Sequence, residues 1–328
     1  MRYVKLGHSG LDVSALCLGT VTYAPPARSG RSWTLDEAES RVLIREALEM
    51  GINFFDCANI YAQGACEEIL GRALRDFAHR DEVVITSKVF NPMRSGANSK
   101  GLSRKAIMQE CDHSLKRLGT DYIDLYEIHR WDSETPIEET LEALHDLVKM
   151  GKVRYLGASS MYAWQFIKAL QMQKYERWSR FIVMQNHLNL IYREEEREML
   201  GLCAEEGVAV TPWSPLARGR LARPVASAKA SIRGADDSYS EFLYAATEQA
   251  DNAVISVVQQ VAEARGVPMA QVALAWLFTR PAVSSVVMGA TRSQHLSDAF
   301  GALEVTLTPH EIAALDAPYI PHNIVEHD

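Results

Sequence analysis

Short apolar runs alternate with longer amphipathic segments from Ala15 almost to the C-terminus, and this repeat restricts the folds open to the chain. The short runs are rich in Val, Ile, Leu and aromatic residues, which is typical of buried strands, whereas apolar residues in the longer segments recur at helical spacing. Because nearly every run is followed by a helical segment, the pattern indicates a parallel sheet covered by helices. About eight strands are predicted, at residues 15–18, 52–55, 83–87, 122–128, 153–156, 181–184, 208–211 and 285–288.

Two architectures alternate strands with helices in this way, the closed (β/α)8 barrel and the open doubly wound sheet. No two glycines of the chain are separated by a single residue, so the Gly-x-Gly-x-x-Gly motif of dinucleotide-binding doubly wound domains cannot occur. The predicted fold is therefore an α/β protein of the (β/α)8 TIM-barrel class, with residues 1–328 forming a single domain. We also expect an N-terminal hairpin, from Tyr3–Leu6 and Leu11–Ser14, and long loops on the C-terminal face.

Helices are predicted between these strands, and two of them begin with capping signals. Thr34 followed by Glu37 has the pattern of a capping box for a helix that ends at Met50, and Thr135-Pro136-Ile137-Glu138 has similar features. The Glu194-Glu195-Glu196 run predicts a solvated helix face, and residues 216–251 predict a long loop. Further helices are predicted at residues 67–77, 103–118, 164–174, 194–206, 254–265, 269–279, 293–301 and 309–315.

Composition narrows the class of protein. The 328 residues are 47% hydrophobic, which is enough for a large core, and the net charge of −8 argues against a nucleic-acid or anionic-membrane surface. A local basic patch for one phosphate remains compatible with that charge. The five cysteines are odd in number and include no Cys-x-x-Cys pair, which predicts reduced thiols in the cytoplasm. No signal peptide is apparent, and no apolar run approaches the roughly 20 residues of a membrane span.

Polar and aromatic residues stand where the predicted strands end. In a barrel, the carboxyl ends of the strands face one shared site, whereas the opposite rim is structural. No His-Glu-x-x-His motif or cysteine cluster indicates a metal site, and no serine has the sequence of a nucleophile elbow. The residues at these ends are Thr20, Asp56, Lys88, His129, Ser159, Gln185, Trp213 and Gly289, and Tyr61 follows Asp56 by five positions.

Four residues of this set together supply a proton donor: Asp56, Tyr61, Lys88 and His129. A phenol is a weak acid, with a reference pKa of about 10. A nearby Lys88 ammonium is expected to lower the pKa of Tyr61, while Asp56 keeps the lysine charged and oriented. His129 would position a carbonyl oxygen beside the phenol. Because no side chain delivers hydride, the set predicts carbonyl reduction with a hydride-donating cofactor.

Each of the four residues also has a structural explanation when it is considered alone. An aspartate after a strand usually caps a turn, a lysine there is usually solvated, and a tyrosine or histidine often packs in the core. Independent structural roles do not explain why all four stand at or just past the predicted ends of three consecutive strands. The catalytic interpretation is therefore preferred.

The segments that contain these residues resemble those of the aldo-keto reductases. Phe54-Phe55-Asp56 with Tyr61, Ser87-Lys88, and Tyr126-Glu127-Ile128-His129-Arg130-Trp131-Asp132 are similar to the segments of the catalytic tetrad in that family. Gly157-Ala158-Ser159-Ser160, Met184-Gln185 and Pro212-Trp213-Ser214-Pro215-Leu216-Ala217-Arg218-Gly219 are similar to its cofactor-binding segments. The likeness covers essentially the whole chain. It is greatest to the potassium-channel-β-like branch, in particular to the bacterial YajO type, which shares the helical sequence at residues 191–200.

The resemblance implies reduction of an aldehyde or ketone to an alcohol with NADPH, with Tyr61 as the general acid. It also implies that Ser159 and Gln185 hold the carboxamide and that Trp213 stacks on the nicotinamide. The family usually has Gln or Arg at the position of His295 and Asn at that of Ala299. The resemblance further implies that the pyrophosphate is bordered by Ser214, Leu216, Arg218 and Arg220. The adenosine 2′-phosphate would be held by Gly289, Thr291 and Arg292, with His295 and Asp298 nearby. Thr20 is also an implied cofactor-binding residue.

Three functions remain open at this point. The first is an NADPH-dependent carbonyl reductase, the second is a cofactor-loaded sensor or regulatory subunit with vestigial turnover, and the third is a barrel lyase or isomerase. Multiple-turnover oxidation of NADPH would separate the first from the second, and a missing fluorescence response to the cofactor would favour the third. The partner is expected to be a small-molecule carbonyl in an apolar, aromatic pocket, and the oligomeric state stays open. The expected lining is Tyr23, Trp33, Phe90, Trp131 and Tyr192, with residues 217–251 and the tail after Pro318.

Overall fold

The computed structural model describes residues 1–227 and 232–327 and contains one sheet of eight parallel strands and a two-stranded antiparallel hairpin. The order in the large sheet is β10-β3-β4-β5-β6-β7-β8-β9, so strands that are consecutive in the chain are neighbours in space. The strands are β1 Tyr3–Lys5, β2 Asp12–Ser14, β3 Leu16–Gly19, β4 Phe54–Asp56, β5 Val84–Val89, β6 Ile123–Ile128, β7 Val153–Ser159, β8 Phe181–Gln185, β9 Ala209–Val210 and β10 Val286–Gly289.

Backbone hydrogen bonds close this sheet into a barrel. The N–H of Val210 on β9 donates to the carbonyl of Ala282 (2.8 Å), and the N–H of Ser284 donates to the carbonyl of Val210 (3.0 Å). These bonds join the last strand in the order to the segment that enters the first. Closure removes both free edges of the sheet, and the predicted (β/α)8 barrel is confirmed.

The hairpin β1–β2 covers the amino end of the barrel. Leu6 and Val13 are completely buried and belong to a cluster inside the barrel, together with Cys17, Phe54, Val84, Leu125, Val183, Ala209 and Val287. The N–H of His8 donates to the carbonyl of Gly207 (2.8 Å), which ties the hairpin turn to the end of a helix. With this end filled by apolar side chains, the opposite end is the one left open for a site.

Helices surround the barrel and pack on the outer faces of the strands. Burying these faces is what stabilises the sheet, because they form the larger of the two apolar clusters. The helices are α1 Pro26–Ser29, α2 Glu37–Glu49, α3 Ala65–Phe77, α4 Arg104–Leu118, α5 Ile137–Lys149, α6 Ala163–Tyr175, α7 Met199–Glu206, α8 Ile232–Asp236, α9 Ser238–Tyr244, α10 Glu248–Arg265, α11 Met269–Leu277, α12 Ser293–Ala302 and α13 Pro309–Asp316.

Two predicted helix starts are wrong in detail. The capping box of α2 is formed by Asp36 and Glu39, two residues later than the predicted pair, because Asp36 accepts from the N–H of Glu39 (2.9 Å). Pro136 is the N-cap of α5 and makes no side-chain cap bond. Thr135 instead donates to Asp132 Oδ2 (2.8 Å), so its hydroxyl fixes the loop after β6.

Two predictions for the C-terminal half are also wrong. The segment predicted as a loop contains α8 and α9, and α10 begins at Glu248, six residues before its predicted start; residues 228–231 of that segment lie outside the described chain. The predicted helix 194–206 is a 3₁₀ turn at Glu194–Glu196 followed by α7. Glu194 and Glu195 are buried and not solvated, because they bind the C-terminal tail.

The five cysteines are all buried free thiols, and burial raises the pKa of Cys17 and Cys57 well above the ordinary value. Thiols in that state are protonated and unreactive, so they act as small apolar side chains. Across the two described ranges, no helix combines the length and the apolar character that crossing a membrane requires.

Candidate active site

A cavity of about 710 Å³ opens at the carboxyl end of the barrel. Because parallel strands all end at this rim, side chains that are far apart in sequence converge there. Thirteen of the seventeen predicted site residues line the cavity, namely Asp56, Tyr61, His129, Ser159, Gln185, Trp213, Ser214, Leu216, Arg218, Gly289, Thr291, His295 and Asp298.

Four predicted residues are outside the lining of the cavity: Thr20, Lys88, Arg220 and Arg292. Thr20 is completely buried and donates through Oγ1 and its backbone N–H to the carbonyl of Asp56 (2.9 Å each), so it fixes the end of β4. Arg220 lies with its guanidinium 5.5 Å from the ring centre of Tyr244. Arg292 is exposed at the start of α12. Contact of a cofactor with Thr20, Arg220 and Arg292 stays a prediction.

The floor of the cavity is a buried ion pair. The Lys88 ammonium donates to Asp56 Oδ1 and to the carbonyl of Cys57 (2.9 Å), and Gln185 Nε2 donates to the same carboxylate oxygen (2.8 Å). Burial alone would lower the pKa of Lys88, but the charge of Asp56, with contributions from Tyr61 and Glu127 when they ionise, outweighs it and raises that pKa. The lysine is therefore held as a cation, as the sequence predicted.

Tyr61 stands over this ion pair because of an unusual turn. The chain leaves β4 and forms a 3₁₀ segment at Tyr61–Gly64, in which Ala62 and Gln63 adopt φ of 47° and 51°. Positive φ is costly for residues with a side chain and is maintained only where the surroundings enforce it. The turn brings the ring of Tyr61 to 5.4 Å from Lys88 Nζ and to 5.9 Å from the ring of His129.

Burial dominates the acid–base properties of these two rings. It raises the pKa of the Tyr61 phenol, and the Lys88 ammonium opposes this effect only in part. Lys88 acts to lower the pKa of Tyr61, as expected. The prediction of a net lowering is wrong, because desolvation of the phenolate outweighs the effect of the lysine. Burial lowers the pKa of His129 well below the ordinary value, with Arg130 and Lys88 adding to the effect. The phenol is thus protonated and the imidazole neutral.

Two buried polar residues near this set were not predicted from the sequence. Asn91 Nδ2 lies 3.3 Å from His129 Nδ1, which orients the imidazole. Glu67 on α3 is completely buried and accepts from Ser87 Oγ and Arg117 Nε (2.5 Å each), which fixes β5 to the helices on the face opposite to Lys88. A signal for Glu67 exists, because it precedes Leu70 and Leu74 by three and seven residues, a spacing that places it on the same helical face.

Trp213 belongs to a stack of three rings. Its ring lies 4.1 Å from that of His187 with an angle of 13°, and the ring of Tyr192 lies 4.1 Å from that of His187 with an angle of 11°. The indole Nε1 donates to Ser160 Oγ (3.2 Å). Because Trp213 also lines the cavity, the face opposite His187 is the one left for a planar ligand. His187 was not predicted.

Arginines outnumber the phenol and indole side chains in the lining. The five aromatic residues expected there are absent from the lining formed by the described part of the chain, and all but Phe90 are buried packing residues, so that prediction is wrong. The carboxylates of the lining are Asp56, Asp298 and Glu326. The arginines outnumber them and are Arg28, Arg31, Arg130, Arg218, Arg223 and Arg233. The cavity of this acidic protein is therefore locally cationic, which suits an anionic ligand.

One carboxylate ties two of these arginines together. Asp237 accepts from Arg218 Nε and Nη2 (2.6 and 2.9 Å) and from Arg233 Nε (2.9 Å). The guanidinium of Arg233 also lies 4.2 Å from the ring centre of Trp33. Ser32 donates to Asp236 (2.5 Å), so the end of α8 is joined to the loop before α2.

Three arginines converge on His295 at the far end of the cavity. Burial lowers the pKa of His295, and the charges of Arg292, Arg223 and Arg233 lower it further against the opposing effect of Asp298. The N–H of Thr291 donates to His295 Nδ1 (3.2 Å), which also requires an unprotonated nitrogen there. The cationic field at this end is thus supplied by the arginines, while His295 is neutral.

The C-terminal tail, residues 319–327, covers one side of the mouth. Glu326 lines the cavity and accepts from Arg130 and from the hydroxyl of Tyr239. Two histidines dock the tail on buried carboxylates, since His322 Nε2 lies 2.9 Å from Asp251 and His327 Nε2 lies 3.1 Å from Glu195. The predicted approach of the tail to the site is present, and it brings charge to the mouth.

Among residues 1–227 and 232–327, no three His, Cys, Asp or Glu side chains are grouped so that they could hold a metal ion. The polar groups around the cavity instead include more guanidinium cations than carboxylates. What this arrangement offers chemically is a protonated phenol beside a buried ammonium and a neutral imidazole, next to a large cationic cleft.

Comparison with known proteins places this site in a family. The sequence profile of the aldo/keto reductase family matches residues 15–320. The versiconal hemiacetal acetate reductase of Aspergillus parasiticus is 42% identical, with 99% of this chain and 98% of that protein covered. An aldo-keto reductase of Alternaria alternata is 42% identical over 99% and 93% of the two chains. A Schizosaccharomyces pombe protein provisionally named an aryl-alcohol dehydrogenase is 39% identical over 97% and 96%. The barrel, the convergence of Asp56, Tyr61, Lys88 and His129, and these matches establish that the chain belongs to the aldo/keto reductase family.

Proposed function

We propose that the protein reduces an aldehyde or ketone to an alcohol with NADPH and that Tyr61 is the general acid. The observation that supports this proposal most directly is the position of a cavity-lining phenol over a buried ammonium, with a neutral imidazole at its side. When bound, the cofactor supplies hydride to the carbonyl carbon, which no side chain of the protein provides. The residues of the chain then have to bind the carbonyl oxygen and give it a proton.

Tyr61 is suited to the proton transfer because burial keeps its hydroxyl protonated. As the proton leaves, negative charge develops on the phenol oxygen, and the fixed Lys88 ammonium stabilises it. Asp56 cannot move away from the lysine, since Gln185 and the backbone of β4 hold it. The floor therefore keeps its charges in place during the reaction.

His129 is proposed to position the carbonyl oxygen. Donation from Asn91 to Nδ1 leaves the ring proton on Nε2, which can then donate to the substrate. A neutral imidazole fits this role better than a cation, because an imidazolium would itself be an acid and would compete with Tyr61 in donating a proton to the carbonyl oxygen. The low pKa of His129 supports this assignment.

The cavity fits a dinucleotide cofactor in several places. Gln185 Nε2 donates a hydrogen bond to Asp56, so the amide oxygen of Gln185 remains free to accept one from a carboxamide. Ser159 Oγ has only a weak bond to Ser160 (3.3 Å) and can also bind that group. Trp213 presents one face to the cavity, as a nicotinamide would require. Nothing lies within 4 Å of the position that a side chain would take at Gly289, so the backbone there is open to a ligand.

Three finer attributes belong to the same proposal. The arginines around His295 support NADPH over NADH, because a 2′-phosphate is the group that distinguishes the two. The shared sequence at residues 191–200 supports the potassium-channel-β-like branch. The five buried thiols support a cytoplasmic location. Since relatives carry the names of a hemiacetal acetate reductase and an aryl-alcohol dehydrogenase, we propose aromatic aldehydes as the first substrates to assay.

The test is NADPH oxidation over a panel of carbonyl compounds, measured for the wild type and for Tyr61→Phe. We expect multiple turnovers for the wild type and a loss of about 10²-fold or more in the variant, which is the scale of losing a general acid. Quenching of protein fluorescence by NADPH should persist in the variant. Tyr3→Phe, the same change on the exposed hairpin, is the matched control. Near-normal turnover of the Tyr61 variant would remove it as the acid.

A further inference from the structure

A second carboxyl group lies on the other side of the catalytic lysine. Lys88 on β5, Glu127 on β6 and Gly157 on β7 are paired in register across three neighbouring strands. Residues paired in this way project from the same face of a sheet, and here that face is the barrel interior. Both side chains are completely buried, and Glu127 Oε2 lies 4.0 Å from Lys88 Nζ.

Gly157 provides the space that this carboxyl group occupies. A side chain at position 157 would place its Cβ 2.8 Å from Glu127 Cγ and 3.2 Å from Oε1, so only glycine permits the carboxyl group there. Within the described residues, neither oxygen of Glu127 has a hydrogen-bond partner. The ammonium of Lys88 is meanwhile already bonded to Asp56 and to the carbonyl of Cys57.

An ionised carboxylate without donors in a barrel interior is unfavourable, whereas a protonated one needs far less compensation. The buried charges near Glu127 are those of Lys88 on β5 and Asp56 on β4, which already cancel. β3 contributes Cys17, whose pKa is raised by burial, so it stays neutral. On β7, Gly157 has no side chain, and Tyr155 is paired with Leu125, two residues before Glu127.

We propose that Glu127 is a positioning residue that acts on Tyr61 through Lys88, and that it must be protonated for efficient reduction. This inference rests on the proposed role of Tyr61. With Glu127 neutral, the ammonium has one counter-charge and stabilises the oxygen of Tyr61 as its proton leaves. Ionisation of Glu127 adds a second counter-charge 4.0 Å away, which offsets that stabilisation and slows proton donation.

The titration of Glu127 falls in a range that experiments reach. Burial raises the pKa of Glu127 to about 8, with Lys88 opposing and Asp56 adding to the effect. The carboxyl group is therefore protonated at neutral pH and ionises in mild alkali. Turnover in the reductive direction should fall over the same range.

The first measurement needs no assay of turnover. Infrared difference spectra of the wild type between about pH 6 and about pH 9 should show the C=O stretch of a protonated carboxyl group disappearing near the pKa of Glu127. Glu127→Gln should lack this band. Glu195→Gln is the matched control, because Glu195 is another buried carboxyl group with a raised pKa, and that variant should retain the band.

The second measurement is the pH dependence of kcat at saturating cofactor. Turnover at about pH 9 relative to that at about pH 6 should fall about tenfold in the wild type and remain nearly constant in Glu127→Gln. Cofactor affinity should not follow this change, which distinguishes positioning from a general loss of structure.

Two outcomes would overturn the inference. If the wild type has no carboxyl band that titrates in this range, Glu127 does not change its ionisation there and does not act as described. If the band titrates but Glu127→Gln retains the alkaline fall in kcat, its ionisation is not coupled to Tyr61. Failure of the proposed function is distinct, since it would appear as near-normal turnover of Tyr61→Phe whatever the infrared result.

Discussion

The floor and the rim of the cavity are built in different ways. The floor consists of Asp56, Lys88 and Glu127, which project from three neighbouring strands and are fixed by the register of the parallel ladder. The rim consists of residues 217–227 and 232–244 and the tail at 319–327. Ion pairs and side-chain hydrogen bonds join these segments to one another and to the rest of the fold. Backbone pairing positions the floor, and charged side chains position the rim.

This difference predicts how the two regions respond to mutation and to changes of salt and pH. Disturbing the floor leaves a charge stranded in the interior, so the whole fold should be affected. Disturbing the rim releases a segment that can open locally without unfolding the barrel. Salt should act mainly on the rim, because its ion pairs join partly solvated charged groups. A change of pH should act on both regions, through His322 and His327 at the rim and through Glu127 in the floor.

The largest effect is expected from Lys88→Met. This change leaves Asp56 buried without its cation, and losing one partner of a buried pair costs about 3–5 kcal/mol in the free energy of unfolding. Turnover should fall by about 10²-fold or more, since the stabilisation of the phenolate is lost. Urea unfolding and NADPH oxidation measure the two effects.

The double variant Asp56→Asn with Lys88→Met is the control for this prediction. It should recover much of the stability, because no unpaired charge remains, but none of the turnover. If the single variant were as stable as the wild type, the ion pair would not anchor the floor. Recovery of turnover in the double variant would show that the ammonium is not needed for catalysis.

The sequence was sufficient for two of the three floor residues, Asp56 and Lys88, because each of them follows a strong local pattern. Apolar runs at 83–87 and 122–128 predict strands, and the rule that parallel strands share one active rim then brings Lys88 and His129 together. Asp56 and Tyr61 were found for the same reason. Glu127 was not, since nothing in the sequence alone says that its carboxyl group faces the lysine and that Gly157 leaves space for it.

The rim could not be predicted because its contacts join residues that no periodicity relates. Arg218 and Asp237 meet through a bidentate bond between two irregular segments, and Glu326 reaches Arg130 from almost the other end of the chain. The Glu194-Glu195-Glu196 run looked like a solvated surface, since the tail that covers it is distant in sequence. Aromatic residues such as Trp33 suggested a substrate lining but serve as packing surfaces.

The second prediction concerns Arg292, which lies at the edge of the rim. If it binds the 2′-phosphate, Arg292→Ala loses a charge-assisted bond, and NADPH should bind about tenfold more weakly while NADH affinity barely changes. We expect a loss of only about tenfold because the Arg292 side chain is exposed and because Arg223 and Arg233 lie near the same end of the cavity. Fluorescence titration with both cofactors measures it. Arg75→Ala on α3 is the control, and equal losses for the two cofactors would refute the assignment.

The third prediction concerns Asp237, which connects the two rim segments. In Asp237→Asn, Arg218 and Arg233 lose their shared carboxylate, so trypsin should cut at these arginines several-fold faster, on the scale of a local opening made easier by roughly 1 kcal/mol. The melting temperature of the barrel should change little. Asp236→Asn, which affects a single bond to Ser32, is the matched control. A large loss of global stability would mean that this part of the rim unfolds together with the barrel and does not open locally.

The smallest effect is expected from the pH dependence of tail docking. Burial alone would lower the pKa of His322 and of His327, but Asp251 and Glu195 outweigh it and raise both. A histidine with a raised pKa in the folded state stabilises that state fully below its unfolded value of about 6.5, and the stabilisation is lost as pH rises through the folded value. The tail should therefore be docked in mild acid and released progressively above about pH 6.5.

Carboxypeptidase digestion at a series of pH values measures this release. The digestion rate of the protein is divided by that of a free peptide of the tail sequence, which removes the pH dependence of the protease. This ratio should rise a few-fold above about pH 6.5. Replacing both histidines by glutamine should make the ratio high and independent of pH, whereas His145→Gln, outside the tail contacts, should behave as the wild type. A flat ratio in the wild type would mean that Glu326 and the Tyr319 contact to Glu194 hold the tail without the histidines. The rim would then be as insensitive to pH as the backbone that supports the floor.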